Sequence, residues 1–278
     1  MNIKAMIRAG LIKKPRRPRR VRPVKPSRRA ELAYQADLLE VCAAIRGAVE
    51  RDLLPVLRRT EAEYSRPAVD GATTDRFAGD IMAALENMAR AFGLIDSIAA
   101  RLAHAAVQRV HVETEVQLAR NLTNVLGVDM RPTIAMLNVQ PQIEAATVAN
   151  TQLVKSLPKQ FVAKIEPMVL NNVQRGVRYE TMAAEIQAQL GATEGRAKLI
   201  ARDQMAKVNS SINEAKQNAL GIDKYEWSTS GDERVRPDHA ANEGKVFSWS
   251  SPPKTGHPGE DIQCRCVAIP VIDFEDGD

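Results

Sequence analysis

Aromatic side chains are scarce, at 4% of the 278 residues, while hydrophobic residues as a whole reach 44%. Such a balance favours interiors of Ala, Leu, Ile, Val and Met on closely packed helices. Cysteine is rarer still, with only Cys42, Cys264 and Cys266. So small and odd a number does not make a secreted disulfide framework, and it points to synthesis in a reducing cytoplasm. No run of about 18 uninterrupted apolar residues occurs, so no membrane anchor is expected. Met1 to Leu11 leads into Lys13-Lys14-Pro15-Arg16-Arg17 instead of an apolar stretch and a cleavage site, unlike a secretory signal. The length suits one large or two modest domains.

Acidic residues are missing altogether from residues 1–29, which carry twelve Lys or Arg and the prolines Pro15, Pro18, Pro23 and Pro26. The rest of the chain holds 27 basic against 34 acidic residues, so the net charge of +5 hides a basic tail on an acidic body. Each proline removes an amide donor and restricts its predecessor, so residues 1–29 read as an extended or disordered arm. Its candidate contacts to a polyanion are Lys13, Lys14, Arg16, Arg17, Arg19, Arg20, Arg22, Lys25, Arg28 and Arg29. Binding through such charges is salt-sensitive, and its loss on removal of the arm, with the fold left intact, is the expectation.

Residues 30–220 read as a helical domain. Apolar positions recur at helical spacing from Glu31 to about Arg66, with Pro55 a kink, and again from about Thr74 to Leu126, with Gly93 an interruption. A break at Gly127 to Pro132 precedes helices over 140–157, 159–175, 181–190 and 193–218. Pro158 and Gly176 mark joins, Thr193 an N-cap and Gly221 a stop. Residues 221–278 differ in texture: both tryptophans, two of the four histidines and two of the three cysteines lie there. Strands are expected over 225–229, 246–249 and 266–272. The fold class is therefore α+β, a predominantly helical body followed by a small C-terminal α+β module.

The informative order is Arg202 to Asn209 on the last helix, Tyr225-x-Trp227, then Asp232-Glu233-Arg234-Val235-Arg236-Pro237-Asp238-His239, Gly244, Pro258-Gly259 and Cys264-Arg265-Cys266. This succession resembles the phage Mu F-like head morphogenesis family, over roughly residues 150 to 273. The resemblance implies a minor capsid protein of a tailed bacteriophage, acting in head assembly. Portal and major capsid proteins and packaged double-stranded DNA would be its neighbours, with several copies per virion. Some relatives resemble this chain but carry C-P-x-C where Arg236 to His239 stand, which puts a non-ligating arginine at one position.

Cys264 and Cys266 are two apart, so on extended chain both thiols face one side and can share a metal ion, whereas a disulfide between them would be cramped. His239 and His257 would complete a Cys2His2 set for zinc, with Asp232 a replacement ligand. The alternative is a pair of buried, reduced thiols with His239 hydrogen-bonded in the module core. Asp232, Arg234 and Arg236 near a histidine also allow a metal- or histidine-dependent nuclease carried in the virion; the competing reading is a buried Asp–Arg network that pins the loop. Trp227 and Trp249 suit the module's core or an interface, Gly244 and Gly259 suit turns, and Cys42 suits a small buried hydrophobe.

Overall fold

The structure, a computed structural model, describes residues 2–13, 19–64 and 72–274. Its helices are α1 (Ile3–Arg8), α2 (Arg28–Ala48), α3 (Leu54–Tyr64), α4 (Ala72–Ala91), α5 (Gly93–Leu126), α6 (Arg131–Ala135), α7 (Gln140–Gln174), α8 (Tyr179–Ala219) and α9 (Pro237–Ala240). A π-helical turn, Val49–Leu53, joins α2 to α3 just before Pro55. Three strands, β1 (Lys224–Ser228), β2 (Val246–Ser248) and β3 (Val267–Val271), form one antiparallel sheet in the order β2-β1-β3. Tyr225 faces Phe247 on one side and Pro270 on the other. The helical body with a small sheet is the α+β class expected.

The division of the chain differs from arm, helical domain and terminal module. One compact unit comprises residues 1–33, 104–148 and 202–278, and the other 34–103 and 149–201. The chain thus passes between units inside α2, α5, α7 and α8. In the second unit, Val154, Leu157, Phe161, Ile165 and Val169 are buried at steps of three or four along α7. That stripe carries the helix straight through Pro158 and Pro167, so the expected join at Pro158 is absent: side-chain burial outweighs the lost amide bonds. Likewise α8 runs unbroken past Thr193, whose Oγ1 donates back to Gln189 O at 2.8 Å. It is a mid-helix residue and not the expected N-cap. Met182, Ile186 and Leu190 keep that part of the helix anchored. The stop after α8 is as expected: Gly221 takes φ 73°, a conformation cheap only for glycine, and Ile222 N–H closes onto Gln217 O at 2.9 Å.

The expected disordered arm also differs. Ile3, Met6, Ile12, Val21 and Val24 are buried in one cluster with Leu118, Leu122, Met130, Ile134, Leu220, Ile222 and Ile269. Asn2 caps α1 by accepting from Ala5 N–H at 2.8 Å, and Ile3 N–H donates to Leu220 O at 2.9 Å. Where prolines deny the segment a ladder of its own, α5 and α8 supply side-chain donors and acceptors. Gln117 bridges both backbone groups of Lys25, Asn121 donates to Arg22 O and Asn209 to Val24 O. Charge and proline content dominate the sequence of this segment; five spaced aliphatic residues decide its place.

Candidate metal centre

The site is built on the sheet of the first unit. Tyr225 and Trp227 alternate inward on β1 and are fully buried, with Trp249, Cys264, Cys266 and Ala268 around them and Phe247 alongside. Trp249 packs against Tyr225 with ring centroids 4.3 Å apart and planes tilted by 41°, and its indole N–H reaches Gln217 Oε1 on α8 at 3.3 Å. Helix α9, too short to appear as a helical pattern in the sequence, begins at Pro237 and delivers His239 to this core at 2% exposure.

His239 Nδ1 lies 3.4 Å from Cys264 Sγ and 3.5 Å from Cys266 Sγ, and the three candidate ligand atoms all fall within 4.8 Å of one another. His239 stands edge-on to Trp227, centroids 5.4 Å apart. Cys264 Sγ accepts the Cys266 N–H at 3.4 Å. Donation from the Cys266 thiol, with support from that amide and the Gly259 amide, lowers the Cys264 pKa, while the Cys266 thiol is correspondingly raised. The pair therefore holds one proton easily given up and one tightly kept.

His257 does not join this group. Its Nδ1 pairs with the Tyr225 hydroxyl at 2.9 Å, and its ring packs on Trp249 with centroids 5.0 Å apart. Of the four residues expected to gather, Cys264, Cys266 and His239 lie together and His257 stands apart. Asp232 is not a ligand either, since it forms a salt bridge with Arg265 and accepts Arg234 N–H at 3.1 Å. The Arg265 hydrogen bond holds its carboxyl below the usual range. This Asp–Arg pair lies at the surface, with side chains 40% and 30% exposed, so the buried network expected there is an exposed clamp.

Two residues passed over in the sequence complete the surroundings. Asp261 Oδ2 sits 3.5 Å from His239 Nε2 and 2.9 Å from Arg236 Nη1, and Arg236 also donates to Ile262 O at 2.8 Å. Asp203 on α8 accepts Gln263 N–H at 2.6 Å. Between these anchors Gln263 is held at φ 55°, a left-handed and strained conformation for a residue with a side chain, immediately before Cys264. No sequence signal marks Asp261 or Asp203, because only the fold brings them to the loop. Gly259, at φ 90°, lies so close to α8 that a Cβ there would stand 2.8 Å from Ser210 Cβ. Ser210 Oγ donates to Pro258 O, and Gly244 N–H donates to Trp227 O at 2.9 Å.

Residues 163–269, which contain this whole arrangement, match the family described as Phage Mu protein F like protein. The chain carries a Mu F-like region. It is also 34% identical over 249 residues to an uncharacterized protein of Haemophilus influenzae, an alignment that takes in 89% of this chain and 54% of that one. The chain therefore spans about half the length of the curated relative it matches. No solved structure matches it. Among the described residues, no helix is long and apolar enough to cross a membrane.

The candidate DNA contacts are spread differently from a free arm. Lys14, Arg16 and Arg17 lie outside the described residues. Arg20 forms a two-pronged salt bridge with Glu226 on β1, Arg28 pairs with Glu31, and Arg19 donates to Asn124 O at 3.4 Å. Lys13, Arg22, Lys25 and Arg29 are exposed.

Proposed function

We propose that this chain is a structural protein of a tailed-phage head, acting in head morphogenesis beside the portal and touching packaged DNA. The Mu F-like region over 163–269 carries the reading. The same region builds the sheet, the Cys/His cluster and the α8 surface under them, a buried framework of the kind that positions an assembly domain. In this reading the protein resides in the virion in several copies, with portal and major capsid subunits as partners.

A groove of about 530 Å³ supports the DNA contact. It is lined by Lys25, Arg28, Arg202, Ser228, Ser230 and Arg265. Arg28 and Arg265 are neutralised by Glu31 and Asp232. Lys25 and Arg202 have no ion pair among the described residues, and with the neighbouring hydroxyls they suit a phosphodiester backbone. Double-stranded DNA binding measured across a salt series tests this: Lys25→Glu with Arg202→Glu should flatten the log–log salt dependence by roughly one to two units. An unchanged slope would remove the groove from the proposal. For the assembly role, a nonsense mutation in the phage or prophage encoding the chain should abolish DNA-filled heads, and restoring the gene should return them. Filled, infectious heads made without the chain would defeat the reading.

A further inference from the structure

Three lone-pair donors converge on one point beside Trp227, and their spacing is that of a metal coordination sphere. Zinc bonds at about 2.0–2.1 Å to imidazole nitrogen and about 2.3 Å to thiolate give a tetrahedral N-to-S edge of roughly 3.5 Å. His239 Nδ1 stands 3.4 and 3.5 Å from the two sulfurs. We propose that His239 Nδ1, Cys264 Sγ and Cys266 Sγ bind one Zn²⁺, with Asp261 as the positioning residue of the histidine. The inference rests on this geometry alone and stands whether or not the chain acts in a phage head.

A neutral imidazole has one N–H. The Asp261 carboxylate, 3.5 Å from Nε2, favours the proton on that nitrogen, which is buried and has no hydrogen-bond partner. Nδ1 then presents a bare lone pair to the two sulfurs, 3.4 and 3.5 Å away. A cation at their centre satisfies them together, and Nε2–H closing onto Asp261 is the carboxylate–histidine–zinc arrangement that raises ligand basicity. Arg236, which cannot ligate, has its part here: its guanidinium holds Asp261 at 2.9 Å. The amide of Cys266 aimed at Cys264 Sγ supports a thiolate.

The donor set selects the metal. Two thiolates and an imidazole in a tetrahedral corner suit zinc, and do not suit magnesium or calcium, which take oxygen ligands. Among the described residues no other His, Cys, Asp or Glu joins the three, so the fourth position falls to water or to a group from outside the described chain. Both thiols are buried, at 4% and 6% exposure, which shields the bonds from exchange. The ion would tie α9, the strained Gln263 turn and the start of β3 into one unit.

The full chain, purified under reducing conditions, should retain about one zinc per molecule after dialysis, read by elemental analysis and by chelator release. Co²⁺ exchanged into the site should give tetrahedral visible bands and thiolate-to-metal charge transfer in the near ultraviolet. Cys264→Ser, Cys266→Ser and His239→Ala should lose both signals. Asp261→Asn, a change at a half-exposed position, should stay folded and bind metal roughly 10–100-fold more weakly. Wild-type protein that takes up neither ion, or cobalt bound without the thiolate band, would overturn the proposal, as would full affinity in Asp261→Asn for its positioning role.

Discussion

The ammonium of Lys216, with no exposed surface, is held 2.8 Å from Glu115 Oε2 and donates to Ile134 O at 3.2 Å. His111 Nε2 also lies 3.3 Å from that carboxylate, and burial, followed by the Lys216 charge, lowers its pKa. One carboxylate thus compensates a cation that α8 carries into the interior of the first unit. Removing it leaves a buried charge unpaired, which costs several kcal/mol, whereas replacing both partners together by apolar groups of similar volume is close to neutral. Glu115→Ala should lower unfolding free energy by about 3 kcal/mol, and the double variant Glu115→Leu with Lys216→Met should differ from the parent by less than about 1 kcal/mol. Urea denaturation of the two variants checks the contrast; equal losses would contradict it.

The basic N-terminal segment is a packing element, so truncation should do more than weaken DNA binding. Ile3 is 2% exposed within the cluster it shares with Leu220 and Ile222. Ile3→Ala should cost about 2–4 kcal/mol. Deletion of residues 1–27 should lower the melting temperature sharply and expose apolar surface to a dye. A truncated chain that melts like the whole would show that these contacts carry no weight.

Gly259 combines positive φ with close approach to α8. Gly259→Ala adds both strain and a clash with Ser210, and should destabilise by about 2 kcal/mol. Because Ser210→Gly also removes the bond to Pro258 O and puts glycine inside α8, the clash is read as a coupling: Gly259→Ala should cost less in a Ser210→Gly background than in the parent. An equal cost in both backgrounds would assign it all to the backbone and none to the contact.

Glu214 has its pKa raised, first by burial and then by Glu260, with His257 acting in the opposite direction. Its protonated form is therefore the one the fold favours. The associated stability is present below the ordinary carboxylate range and is lost as pH rises through the raised value. Glu214→Gln should be more stable than the parent at about pH 8 and indistinguishable from it at about pH 4. Thermal melts across that range decide the matter, and a gain that persists in acid would refute the assignment.

Sequence patterning located much of this molecule. The strands at Lys224–Ser228 and Val267–Val271 and the helix break near Gly93 fall within a residue or two of the alternation and glycine signals that mark them. The joins at Pro158 and Thr193 do not exist, because a buried stripe on one helix face outweighs a local breaker, and the stripe becomes decisive only with its partners in place. At the site, Cys264, Cys266 and His239 were legible from residue chemistry and spacing. His257 stands apart from them, since a histidine committed to a tyrosine hydroxyl looks in sequence like any other. Asp261 and Arg236 acquire their roles only through the loop that α8 and Asp203 hold in place.

The pairing of Ile3 with Leu220 and of Lys4 with Asp223 ties residues some two hundred positions apart. During synthesis the earlier segment therefore waits, with its aliphatic side chains uncovered, until the residues around Leu220 emerge to receive it. Such distant closure is slow relative to helix formation. Until then the nascent chain carries uncovered aliphatic side chains that the folded cluster buries.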